Sequence, residues 1–183
     1  MLRLMKEAEF DRVYDILYKS FDLNEIRTKE GQKSLFNDSA YSVLVNQDVT
    51  AVFGVWDLGD IRYIEHFATD ESIRNKGLGS MLLDEFIKGK DTPVILEAEL
   101  PGEEITDRRI NFYKRHGFKF NGYDYIQPSM GEGKNPVPLK MMSYPLALTE
   151  EQFKEYRKRL YTQVYRCDVE NLGGSAPNTP ASL

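Results

Sequence analysis

Cysteine is nearly absent from this chain. Cys167 is the only one in 183 residues, so no intramolecular disulfide can form and a reducing compartment is expected. The sequence pairs no histidine with it in the manner of a nucleophile, and a structural role is the expectation. Long apolar runs are missing as well. Nothing approaches the roughly 20 residues that a membrane-spanning helix needs, and no charged-then-apolar signal opens the chain. A soluble, cytoplasmic protein without membrane partners is therefore expected. Basic residues form no stripe: Lys and Arg number 24 against 29 Asp and Glu, interspersed, for a net charge of −5. Nucleic-acid binding is disfavoured, because neutralising phosphates takes clustered cations. No Cys/His cluster or carboxylate spacing suggests a metal site, no segment repeats, and the length suits one domain.

Hydrophobic periodicity organises what is present. Leu2-Arg3-Leu4 alternates, and Phe10, Val13, Tyr14, Leu17 and Phe21 recur at helical spacing. Residues 22–38 are polar with scattered Leu and Ile, and a second helix ending near Asn37-Asp38 is expected. Residues 41–45 and 49–56 read as a hairpin, and 62–69 as the next strand. Period-two alternation along 62–69 sets Glu65 on one face with Tyr63 and Phe67, and His66 on the other. Leu78, Leu82, Leu83, Phe86 and Ile87 form a helix stripe. A strand over 93–100 presents Val94, Leu96, Ala98 and Leu100 on one face and Ile95, Glu97 and Glu99 on the other. A helix over roughly 106–115 ends at Gly117, where a C-terminal cap belongs, and His116 is expected at its surface. Residues 119–145 read as two antiparallel strands around the polar break 131–135. Thr149-Glu150-Glu151-Gln152 has the form of a capping box, with Phe153, Tyr156, Leu160 and Val164 as a stripe behind it. The divisions expected are a domain over 1–148, a C-terminal helix over 149–171 packed on it, and a disordered tail over 172–183.

The loop between the 62–69 strand and the following helix carries the chemistry. Arg74-Asn75-Lys76-Gly77-Leu78-Gly79 places two glycines and two cations where a helix begins. The first N–H groups of a helix have no internal partners and its dipole is positive there, so such a turn attracts anions. A dinucleotide fingerprint would need a third glycine where Leu82 stands, and a P-loop would need Gly-Lys-Ser/Thr where Gly79-Ser80-Met81 stands. Neither fits.

Arg-x-x-Gly-x-Gly after a strand resembles the acetyl-coenzyme A loop of the GNAT superfamily of N-acetyltransferases. Asn111-Phe112-Tyr113-Lys114-Arg115-His116-Gly117-Phe118 resembles that family's second signature, and the two stand in the right order with a strand between them. The resemblance covers about residues 2–145. It implies an α+β fold with a mixed, mostly antiparallel central sheet flanked by helices and splayed between the Glu65 and Glu97 strands, where coenzyme A would enter. It implies that the backbone of Phe67, Ala68 and Thr69 meets the pantetheine, and that Arg74, Asn75, Lys76, Gly77, Leu78, Gly79 and Ser80 hold the pyrophosphate. Tyr113 aligns with the tyrosine that protonates the departing thiolate. An unperturbed phenol, with a pKa of about 10, is protonated at neutral pH and able to donate. Glu65 is the first candidate for the base, with Glu97 and Glu99 as alternatives, and each of these carboxylates is also a candidate for binding a substrate ammonium. One departure stands out. Relatives often carry an asparagine two turns before the tyrosine, and Thr106 occupies that stretch here.

The implied activity is acetyl transfer from acetyl-CoA, as co-substrate, to a primary amine by direct attack in a ternary complex, without a metal. The acceptor class is a small molecule or peptide, with the 127–138 region shaping the choice. Two alternatives stand beside it: a coenzyme A-binding regulatory or interaction module without turnover, and a partner-binding domain without cofactor. Residues 123–125 and the terminal helix are candidates for a pocket lining or a homodimer interface.

Overall fold

The computed structural model describes residues 1–73 and 76–167. Arg74, Asn75 and the segment expected to be disordered lie outside the described residues.

One sheet organises the chain. Its strands are β1 (Arg3–Leu4), β2 (Tyr41–Val45), β3 (Ala51–Asp57), β4 (Arg62–Thr69), β5 (Val94–Glu99), β6 (Lys119–Phe120), β7 (Tyr125–Gln127) and β8 (Val137–Tyr144). The order is β1-β2-β3-β4-β5-β8-β6, with β7 also on β8, and every pairing is antiparallel except β4 with β5. The helices are α1 (Phe10–Ser20), α2 (Lys29–Ser34), α3 (Leu78–Lys88), α4 (Glu104–Arg115) and α5 (Glu150–Arg159).

Two apolar layers sandwich the sheet. On one face Val13, Ile16 and Leu17 of α1 and Phe153 and Tyr156 of α5 pack with Val43, Trp56, Tyr63 and Ile95. On the other, Leu82, Leu83, Phe86 and Ile87 of α3 and Ile110 of α4 pack with Phe53, Ile64, Leu96 and Met142. The helix stripes and the alternation of β5 account for this division, since each periodicity gathers its apolar side chains on one side. The Arg62 side chain, buried under α3, donates to the carbonyls of Phe86, Ile87, Lys90 and Thr92 at 2.8–3.3 Å. A cation thereby satisfies the C-terminal end of α3.

Strand β4 departs from strict alternation. Gly54 pairs with His66 but Val55 pairs with Ile64, so Glu65 is an extra residue in the ladder, a β-bulge. Glu65 and His66 consequently both face the α1 layer: Glu65 meets Arg27 and His66 meets Phe21, while Phe67 turns to the α3 layer and stacks on Phe53 at 4.2 Å. The expectation that His66 opposes Glu65, and that Phe67 shares its face, fails for this reason. Gly54 makes room opposite the bulge, because a Cβ there would stand 2.8 Å from the Tyr41 hydroxyl.

Residues 119–145 form three strands rather than two. The interruption is at Asn121, whose side-chain amide donates to the Met141 carbonyl at 3.0 Å and to Ser143 Oγ at 3.0 Å, and whose Oδ1 accepts from Leu148 N–H at 2.9 Å. The capping box at Thr149 forms as expected, with Gln152 N–H donating to Thr149 Oγ1 at 3.2 Å and Thr149 N–H to Gln152 Oε1 at 2.9 Å. Beyond α5 the chain widens into a π-turn, Leu160–Val164, closed by Tyr165 N–H on the Leu160 carbonyl at 2.9 Å, and Leu160, Tyr161 and Val164 are buried.

Candidate functional site

Strands β4 and β5 run together only from Arg62↔Val94 to Ile64↔Leu96 and then part. From His66 to Thr69, β4 is laddered to β3 on one side and has no strand on the other among the described residues. An open backbone edge of this kind offers N–H and C=O groups to a ligand, and it is where the sequence places Phe67, Ala68 and Thr69. On the α3 side the opening is walled by Phe67 and Phe112, whose rings lie 6.1 Å apart.

The glycine loop delivers α3 to this opening. Gly77 caps the helix at φ 77°, and Met81 N–H is the first to bond back along it, to the Gly77 carbonyl at 3.1 Å. The amides of Leu78, Gly79 and Ser80 are thus the orphan donors of a helix N-terminus. Gly79 lies directly against β4: a Cβ there would stand 3.5 Å from the Phe67 ring and 3.7 Å from Thr69 Cγ2. Lys76 Nζ donates to the Ser72 carbonyl at 2.8 Å. A left-handed residue at a helix start selects glycine. Gly77→Ala is expected to cost about 1 kcal/mol, a drop of roughly 2–4 °C in thermal midpoint, from backbone strain alone. Its Cβ would meet no atom within 4 Å, so unchanged stability by thermal denaturation would refute the strain.

His116 is not a surface residue. It ties α4 to α3, its Nδ1 lying 2.7 Å from Asp84 Oδ1 and its Nε2 3.2 Å from Ser80 Oγ. Of Ser80, therefore, the amide rather than the hydroxyl faces a ligand unopposed. Thr106 serves the start of α4, where its Oγ1 donates to the Glu103 carbonyl at 3.0 Å.

Tyr113 packs half-buried against Phe112 and Phe118, with ring centroids 5.3 and 5.6 Å away. Burial pushes its phenol up to about 12, with Arg109 opposing the shift and Glu99 adding to it. It is a proton donor throughout the physiological range. Arg109 reaches from α4 to Glu99 at the end of β5, Nη1 to Oε2 2.5 Å, so this pair stands at the mouth of the opening.

The carboxylates on the α1 side differ sharply. Glu65 is fully buried, and its Oε1 accepts from Arg27 Nη1 at 2.7 Å. Burial opposes the charge on Arg27, and Glu65 beside it more than restores it. Arg27 also donates to the Val164 carbonyl at 3.3 Å. His66 donates from Nε2 to the Glu25 carbonyl at 3.0 Å, and burial holds its pKa below the ordinary value. Its Nδ1 then carries a lone pair, 3.5 Å from Glu65 Oε2, and neither atom has a hydrogen-bond donor among the described residues. Glu97 is enclosed: Tyr125 Oη, Tyr165 Oη at 2.8 and 3.0 Å, and Gln127 Nε2 at 2.9 Å all donate to it. Burial raises its pKa, although the tyrosine and glutamine donors oppose the shift.

Sequence reading misses Glu25, Arg27, Arg109 and Tyr165. Segment 22–28 lacks periodicity, and Tyr165 lies beyond the part of the chain where a family resemblance is legible. Among the described residues no helix is long and apolar enough to cross a membrane, and no group of three or more His, Cys, Asp or Glu is arranged to hold a metal.

Residues 37–120 match the family described as Acetyltransferase (GNAT) domain. No curated protein matches the chain. A solved structure from Bacteroides thetaiotaomicron, assigned to the GNAT acetyltransferase family, is 29% identical with a TM-score of 0.85, covering 92% of this chain and 99% of its own. The ribosomal-protein-S18-alanine N-acetyltransferase of Escherichia coli (16% identity, TM-score 0.59, 82% and 96% covered) shares the fold. So does Ard1 of Thermoplasma volcanium (23%, 0.58, 81% and 98%). The matched domain frames the splayed strands and a GNAT-family structure overlays nearly the whole chain, so residues 37–120 are similar to the GNAT acetyltransferase domain and the chain has the fold of that family.

Proposed function

We propose that the protein is an N-acetyltransferase that moves acetyl from acetyl-CoA to a primary amine in a ternary complex. The observation that carries this reading is the opening between β4 and β5, with the N-terminus of α3 on one flank and the Tyr113 phenol within the α3/α4 layer. The orphan amides of Leu78, Gly79 and Ser80, with Lys76 and the motif residues Arg74 and Asn75, would hold the pyrophosphate. The open edge at Phe67, Ala68 and Thr69 would meet the pantetheine. The co-substrate supplies the activated acetyl group. Tyr113 would give a proton to the departing sulfur, a role that its raised phenol pKa supports.

Glu65 and Glu97 take distinct parts. One oxygen of Glu65 is committed to Arg27 and the other is buried beside His66 Nδ1, so this carboxylate would hold Arg27 and its segment against β4 rather than meet the acceptor. Glu97 has both oxygens engaged by its neighbours and holds this wall of the opening rigid. The E. coli neighbour acts on a protein alanine, an amine acceptor that fits the same class.

Isothermal titration with acetyl-CoA, followed on the same sample by thiol release against primary amines and peptide amino termini, tests the reading. Saturable binding with turnover is the expected result. Binding without turnover would favour a regulatory coenzyme A module, and no binding would overturn the assignment of the glycine loop.

A further inference from the structure

Glu25 stands on the chain between α1 and α2, in a segment that no motif marks. Three contacts fix that segment over β4. Its own carbonyl accepts from His66 at 3.0 Å, Arg27 is paired with Glu65, and Tyr14 Oη donates to the Arg27 carbonyl at 3.0 Å. The 128–136 loop docks on it from outside, with Lys134 Nζ donating to the Leu23 carbonyl and Asn135 N–H to Asn24 Oδ1 at 2.9 Å. The backbone on both sides of Glu25 is therefore held, while its half-buried carboxyl has neither a hydrogen bond nor an ion pair among the described residues. Every other carboxylate on this wall is engaged: Glu65 by Arg27, Glu97 by its tyrosines, and Glu99 by Arg109.

The charged groups around Glu25 come from three elements and its own segment. Glu99 and Glu97 of β5, Arg109 of α4 and Asp22 of the segment itself act on it electrostatically, while His66 of β4 meets its carbonyl. The Glu25 carbonyl is held by His66, in the stretch of β4 beyond Ile64 where β5 has parted from it, so Glu25 lies on the α1 side of the opening while Tyr113 packs in the α3/α4 layer on the other. We infer that Glu25 is the group that accepts the proton of the acceptor amine. This rests on the acetyltransferase reading given above.

A primary ammonium, with a pKa near 10, must lose a proton before it can attack, and a base matched to neutral pH does this best. Burial, then the neighbouring Glu99 and Asp22 carboxylates, push Glu25 up to about 7, with Arg109 opposing. The proton balance closes. The ammonium gives one proton to the Glu25 carboxylate, and the freed nitrogen lone pair forms the bond to the acetyl carbon. The carbon–sulfur bond breaks as Tyr113 protonates the sulfur. The second proton shed by the nitrogen replaces the one Tyr113 gave, and Glu25 releases its own to solvent. The products are the amide, free coenzyme A thiol and one proton.

Glu25→Gln keeps size and shape, and Glu25→Asp keeps the acid. Wild-type kcat/KM is expected to rise tenfold per pH unit below about 7 and level above it, whereas E25Q loses that limb and about 10²-fold in rate. Both variants should bind acetyl-CoA as the wild type does, and E25D should recover part of the rate with the limb restored. An E25Q profile that keeps the limb overturns the inference. A readout independent of turnover is the carboxyl titration by carbon NMR: a resonance missing from E25Q with a midpoint near 7 supports the role, and a midpoint below about 5 removes it. Failure of the wild type to bind acetyl-CoA would sink the acetyltransferase reading, while the titration would still decide the state of Glu25.

Discussion

Arg27→Met is expected to destabilise the fold by about 3–5 kcal/mol, because it leaves the buried Glu65 carboxylate without its cation. The loss is larger than a surface ion pair could produce, since neither partner is in water to be resolvated. Methionine fills much of the volume, so a cavity contributes little. The contact from Arg27 to the Val164 carbonyl is lost at the same time, which loosens the π-turn after α5. A denaturant titration of the single variant against Arg27→Met/Glu65→Leu separates the causes. Most of the stability should return in the double variant, where no buried charge is stranded. A double variant as unstable as the single would place the cost in packing instead.

Tyr113→Phe is expected to lower kcat by about 10²-fold while the acetyl-CoA affinity stays within a factor of about two. The phenyl ring keeps the contacts with Phe112 and Phe118, so the variant removes an O–H and little else. With the phenol pushed up to about 12, its ionisation falls outside an assay between pH 6 and about 10, and the wild-type profile should carry no falling limb from it there. Steady-state turnover beside titration calorimetry decides the matter. Equal turnover in the two proteins would move the proton donor elsewhere, and a large loss of affinity would make Tyr113 a binding residue.

What the sequence made legible follows from the range over which each signal acts. Helix stripes and strand alternation are local, and they place α1, α3, α4, β4 and β5 close to where they stand. The glycine loop and the Tyr113 motif are equally local. The bulge at Glu65 is not: it depends on Gly54 and Tyr41 in neighbouring strands, and one extra residue was enough to turn Phe67 to the other face. Glu25 and Arg27 sit in a polar stretch whose composition reads as connecting chain, and only its docking on β4 gives those residues neighbours. The ties from Tyr165 to Glu97 and from Val164 to Arg27 cross 68 and 137 residues, and no window along the sequence spans them.

Those two ties also set an order of assembly. The opening between β4 and β5 is framed by β4, α3, β5 and α4, which follow one another directly along the chain. The wall of Glu65 and Glu97 instead joins a residue before the second strand to carbonyl and hydroxyl groups near position 165. On a ribosome that emits the chain from its amino end, the elements framing the opening find their partners first, and Arg27 and Glu97 wait for the closing turn to emerge. A nascent chain arrested before α5 would hold the opening with one wall unfinished, and a buried-to-be charge still facing water.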